Sequence, residues 1–191
     1  MNLTKILTIV FYLVSIGLAY ILISSIANDI QEEKRISAAE EKVRDKLMMI
    51  RSAEISYQAT HGKFTSDWNR LISFVDTGKI YLTERKETII QLEYGADSVV
   101  VDIDTLGSVA VIDSLFGSDF DAKTLPLVPE SDKKFNIWAD KINKSGVMVD
   151  VIEVIDPDPV DPTRRESNEI PNRKPLRFGS RTAVTTAGNW E

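Results

Sequence analysis

The chain has no cysteine and a single histidine, His61, among its 191 residues. The first absence removes disulfides, thiolate metal ligation and a cysteine nucleophile together. The second leaves no room for a multi-histidine zinc site and routes any histidine-based triad through His61. Proline is missing until Pro126, and neither proline nor glycine occurs between positions 28 and 60, so nothing in that stretch breaks a helix. Also absent are a Gly-x-Ser-x-Gly elbow, a glycine-rich phosphate loop and a His-Glu-x-x-His pair, through which hydrolases, nucleotide-binding proteins and metalloproteases are read. An imidazole beside Gly62, where a helix should stop, is placed to hydrogen-bond the last helical carbonyls. The expectation is a non-enzymatic protein with no catalytic residues, no cofactor, no metal site and no small-molecule substrate.

Basic residues are in short supply as well. Against 29 Asp and Glu stand 23 Lys and Arg, and no basic patch is interleaved with aromatics. An acidic surface repels phosphate, which argues against nucleic acid as a partner.

Present instead is a run of 21 uncharged positions, residues 6–26. At about 1.5 Å of rise per residue, such a helix covers the roughly 30 Å hydrocarbon core of a bilayer. The triplet Ser25-Ile26-Ala27 keeps a cleavable signal peptide open as an alternative, although the run is longer than a usual signal-peptide core and Lys5 is its only basic side chain. Lys34, Arg35, Lys42 and Arg44 follow the span and, by the positive-inside rule alone, favour a cytoplasmic C-terminus. They are interspersed with Asp29, Glu32, Glu33, Glu40 and Glu41, and a short leader before one span more commonly stays in the cytoplasm. The expected location is therefore the inner (cytoplasmic) membrane, single-pass, with the C-terminal domain periplasmic or otherwise extracytoplasmic.

Beyond the span, Ile36, Val43, Ile50 and Tyr57 recur every seven residues, with Ala39, Leu47 and Ala53 on the same face. This is one apolar stripe on a charged rod. Its second half is expected to pack on the protein's own domain. Its first half, with Ile36, Ala39 and Val43, is expected to meet another chain, helped by the small span residues Ser15, Gly17 and Ala19. Glu54 is read as lying off the stripe, so that its removal should change little. Gly62 ends the helix, and Thr65-Ser66-Asp67 supplies an N-cap for a second one whose buried face is Trp68, Leu71, Ile72 and Val75; Trp68 and Phe74 are expected core anchors.

The period then changes. Residues 88–94, 98–104 and 109–112 read as strands separated by turns at Gly95-Ala96-Asp97 and Leu106-Gly107, and residues 135–139 and 147–155 as two more joined through Asn143-Lys144-Ser145-Gly146. Prolines at 157, 159, 162, 171 and 175 imply an extended tail, which Leu176, Phe178 and Trp190 should dock. The expected fold is α+β: an N-terminal transmembrane helix continuing as a long amphipathic stalk helix, a short second helix, then a small antiparallel β-sheet domain with an extended Pro-rich C-terminal tail. The boundaries are 1–5 cytoplasmic tail, 6–26 transmembrane helix, 27–61 stalk, 62–156 globular domain and 157–191 tail.

Two acidic groups invite a Ca²⁺ reading. Asp102 and Asp104 alternate along a strand and so share one face, read as solvated. Asp156, Asp158 and Asp161 lie among prolines without the glycine and terminal glutamate of an EF-hand loop; a solvated acidic turn is the simpler reading, with a structural Ca²⁺ site left open.

A helix that begins as a span, continues as an amphipathic stalk and is followed by a small antiparallel sheet resembles type IV pilins and type II secretion pseudopilins. The local likeness runs from Ala53-Glu54-Ile55-Ser56-Tyr57 through Gly62-Lys63-Phe64-Thr65 to Leu71, where pseudopilins carry a helix end, a turn and a short helix; it covers residues 6–80. The chain departs from the pattern in having no Gly before the span and no Glu within it, so prepilin cleavage is not implied. Beyond residue 80, Lys174-Pro175-Leu176-Arg177-Phe178-Gly179-Ser180 is similar to an element of anchored envelope proteins of Gram-negative bacteria. The functional expectation is a membrane-anchored structural or assembly component, homo-oligomeric or joined to a helical membrane partner. The alternatives are a pseudopilin-like filament subunit and a ligand-binding sensor domain.

Overall fold

The computed structural model describes residues 3–91, 97–166 and 174–191. Helix α1, Leu3–His61, is continuous over 59 residues, as the lack of internal breakers requires. It stops where Gly62 takes φ +72° and donates its N–H to the Gln58 carbonyl, a left-handed cap that a side chain would strain. Helix α2, Trp68–Thr77, starts at Asp67, whose carboxylate accepts the Asn69 N–H at 2.9 Å. Its buried face is Leu71, Phe74 and Val75, while Trp68 and Ile72 are only half-buried. Thus Phe74, not Trp68, is the deeper aromatic anchor of this helix.

The chain then makes a long antiparallel hairpin, β1 (Lys79–Gln91) and β2 (Asp97–Ala110), which forms a two-stranded sheet by itself. The expected turn at Gly95-Ala96, and Tyr94 before it, lie outside the described residues. The expected turn at Leu106-Gly107 is instead a bulge. Leu82 faces Gly107 while Thr83 faces Thr105, so Leu106 is an extra residue within β2. The expected strand over residues 109–112 is likewise divided between the end of β2 and the short helix α3, Val111–Leu115.

A second sheet is built from β3 (Asn136–Lys144), β4 (Val147–Ile155) and β5 (Arg177–Gly179), in that order and antiparallel throughout. Ser145 and Gly146 both have positive φ and form the two-residue link between β3 and β4, with the Asn143 side chain accepting the Gly146 N–H. A turn of this hand matches the twist of its strands. Between β4 and β5 lies one further turn of helix, α4 (Thr163–Glu166). The C-terminal segment therefore supplies a strand to the domain's sheet, so the separation into a 62–156 domain and a 157–191 tail does not describe the packing. Pro171 and its neighbours, residues 167–173, lie outside the described residues.

Apart from most of the hairpin, these elements close around the second half of α1. Val43, Leu47, Ile50, Ala53 and Tyr57 form one core with Leu71, Phe74 and Val75 of α2, Leu125, Val128 and Phe135 of the connecting segment, Ile152 and Val154 of β4, and Leu176 and Phe178. The architecture is α+β, with two small antiparallel sheets.

Candidate interaction surface

Among the described residues, no other segment covers the apolar side chains in the first half of α1. Its large apolar side chains stand in the open from Leu7 to Ile30, with Tyr20 72% and Phe11 67% exposed. This is the one helix among the described residues that is long and apolar enough to cross a membrane. Ser15, Gly17 and Ala19 are all exposed, but they do not form one patch. On a continuous helix Ser15 and Ala19 share a face at i, i+4, whereas Gly17 is about 200° round from Ser15.

The remaining residues expected to meet a partner are placed differently. Ala39 and Val43 are 3% and 2% exposed within the monomer, and Ile36 is half-buried. Two segments reach further down the helix than a domain at its far end would. The Glu130 carboxylate accepts from Lys42 Nζ at 2.6 Å, and the Arg164 guanidinium grips Glu40 through both carboxylate oxygens, with Nη2 to Oε2 at 2.9 Å. Burial of Ala39 and Val43 by their own chain overturns the expectation that these two await another chain.

Glu54 also departs from the sequence reading. It lies 0% exposed in the core-facing surface of α1. One oxygen accepts the Thr65 N–H at 3.1 Å and Oε1 has no partner. Burial pushes its pKa up to about 8, with the Thr65 bond opposing the shift only in part. Position 54 follows Leu47 by seven residues, so the heptad recurrence itself carries it onto the buried face; its charge, not its place in the period, makes it read as polar. Thr65, also buried, supplies the one hydrogen bond that meets it there.

The acidic turn is held by protein groups. Asp156 is 2% exposed and accepts the Asp158 N–H at 2.9 Å; desolvation raises its pKa. Asp158 accepts from Ser131 Oγ at 3.0 Å and pairs with Lys133 and Arg165, and the Lys133 contact, first among several, lowers its pKa. Asp161 Oδ1 accepts the Thr163 N–H. Among the described residues no group of three or more His, Asp or Glu is arranged to hold a metal ion. His61 stacks on Tyr57 with its Nδ1 3.2 Å from the Tyr57 carbonyl. It edges an open groove of ≈ 680 Å³ between the end of α1, α2 and the root of the hairpin, with Arg70, Lys79 and Tyr81 among its walls.

The surface that sequence reasoning missed is the hairpin. Tyr81, Leu82, Val99, Ile103 and Leu106 are each more than half exposed. The alternation of apolar residues marks a strand but does not reveal that no layer among the described residues covers it. Comparison of the chain with family models, with curated proteins and with solved structures gives no match.

Proposed function

We propose that the chain is a single-pass membrane protein of the inner membrane that acts, without catalysis, as a structural or assembly component, its domain lying outside the cytoplasm. The observation that carries this reading is the division of α1. One uninterrupted helix is bare and apolar through its first half and is the central core element of the domain through its second. The span and the core residues Leu47, Ile50 and Ala53 lie on one continuous helix with no proline or glycine between positions 28 and 60, so no loop or helix breaker separates the domain from the span. The span and the domain are thus one rigid mount, suited to holding a surface at a set distance and orientation from the bilayer. A flexible tether would serve a freely moving receptor or enzyme better.

The test combines three measurements on the full chain. It should stay in the membrane fraction after an alkaline wash. A reporter fused after Glu191 and active only outside the cytoplasm should be active, and intact mass should show α1 retained. A soluble product beginning near Asn28 would restore the signal-peptide reading. The division of α1 also favours a second reading, a pilin-like filament subunit, since such subunits need an apolar helix free for packing. That reading requires material sedimenting as extracellular filaments, where the first requires it in the membrane.

A further inference from the structure

The hairpin pairs only with itself, so β1 and β2 each keep one edge that meets no strand among the described residues. Two-stranded ribbons are marginal alone, and open edges invite pairing with another chain. The two edges differ in charge. β2 carries Asp97, Asp102 and Asp104 and no base, so a second β2 beside it would offer no opposite charge to face these carboxylates in any register. β1 carries Glu84-Arg85-Lys86-Glu87, a charge pattern that reads the same in both directions.

We propose that β1 is a dimerisation edge whose occupant is β1 of a second copy, antiparallel about a two-fold axis, giving a four-stranded sheet in the order β2-β1-β1-β2. The symmetry restricts the register. Adjacent facing pairs alternate between hydrogen-bonded and non-hydrogen-bonded types, so an axis perpendicular to the sheet must pass between a residue and its own copy. Centred on Arg85, it faces Arg85 with its own copy and, on either side, Glu84 with Lys86, so two opposite-charge pairs flank one like-charged pair. Centred on Lys86, it faces Lys86 with its own copy and Arg85 with Glu87 on either side, the same balance of two against one. The intermediate arrangement, which would set Arg85 against Lys86 and Glu84 against Glu87, is the one the symmetry forbids. In the monomer these four side chains pair along their own strand, Arg85 with Glu87 at 2.7 Å and Lys86 with Glu84 at 3.2 Å, all exposed. Exposed pairs of this kind are weak and exchange readily for cross-strand ones. In the dimer the acidic β2 strands become the outer edges, and their charge stops further strand addition.

This inference goes beyond the anchoring reading and stands on the hairpin alone. Because the chain has no cysteine, Arg85→Cys, Lys86→Cys and Asp104→Cys can each be made in the full-length protein and oxidised in native membranes. Facing residues of an antiparallel pair lie within disulfide reach. A disulfide dimer of the chain's doubled mass is expected at position 85 or 86, at least tenfold over position 104. For an Arg85-centred dimer, adding Glu84→Lys should reduce the crosslink about tenfold, and Glu84→Lys with Lys86→Glu should restore it. For a Lys86-centred one, Arg85→Glu and Arg85→Glu with Glu87→Arg take those places. Equal crosslinking at 104, no dimer at either β1 position, an adduct with a different protein, or failure of the charge swap to rescue would each overturn the proposal. An alkaline wash of the same membranes reports on anchoring separately, so either idea can fail without the other.

Discussion

Glu54 occupies a position from which a carboxylate is ordinarily excluded, and the consequence is a pH dependence of definite sign. The folded protein keeps this group protonated up to about pH 8, against an ordinary value of 4.5. Between those values the folded state binds more protons than the unfolded chain, so stability falls as pH rises through the window and levels off above it. A shift of this size corresponds to a contribution on the order of 5 kcal/mol. Glu54→Gln retains an acceptor for the Thr65 N–H and removes the titration. It should match the parent at pH 5 and exceed it by several kcal/mol at pH 9, read from denaturant midpoints; parallel pH profiles would show that Glu54 is not the titrating group. Burial also ranks the aromatic residues. Phe178 is 0% exposed, and Phe178→Ala should cost about 3–5 kcal/mol. Trp68 is half-buried, with its indole N–H 3.3 Å from the Phe135 carbonyl, and Trp68→Ala should cost only about 2–3 kcal/mol. A midpoint lower for the Trp68 variant than for the Phe178 variant would contradict that order.

Among the elements, the C-terminal segment does more than drape over the domain. β5 extends the sheet beside β4, Arg177 and Arg181 both engage the buried Glu153, and Glu191 returns to Arg51 on α1. Arg164 draws the preceding stretch down to Glu40, both side chains 16% exposed. Removing one member of that pair leaves a largely desolvated charge. Glu40→Ala should therefore cost about 1–3 kcal/mol, and Glu40→Ala with Arg164→Met should cost less than the sum of the single changes. A double-mutant cycle measures the coupling; strict additivity would mean that the contact does not hold the segment. Limited proteolysis should cut faster near residue 165 in the single variant.

For the whole molecule, the position at which the domain begins to cover α1 decides which surface is left for lipid or partners. Thiol labelling in membranes locates that boundary. Ala39→Cys and Val43→Cys should be protected from a soluble maleimide and Ile36→Cys intermediate, while Glu41→Cys on the polar side should label fully. Within the bare half, Ser15→Cys and Ala19→Cys share a face, so any helix–helix contact that crosslinks one should crosslink the other and spare Gly17→Cys. Equal crosslinking at 15, 17 and 19 would place no preferred face in the span.

Much of the architecture was legible in the chain because it depends on local patterns. The 21 uncharged positions, the seven-residue recurrence from Val43 to Tyr57, Gly62 as a stop and a cap within Thr65-Ser66-Asp67 each act over a few residues, and each appears where the pattern places it, the cap at Asp67. Residues 147–155 were read as a strand and are one. What the local patterns could not supply was who covers whom. Ala39 and Val43 look available until Glu130 and Arg164, roughly 90 and 120 residues further on, fold back to their neighbours Lys42 and Glu40. Glu54 looks solvated until Thr65 folds back to meet it in the core, Leu106-Gly107 looks like a turn until β1 pairs across it, and Leu176 and Phe178 belong to a tail until β4 offers them an edge. Periodicity states which face of an element is apolar; only the tertiary arrangement, where distant segments compete to exclude water, decides which apolar face stays uncovered.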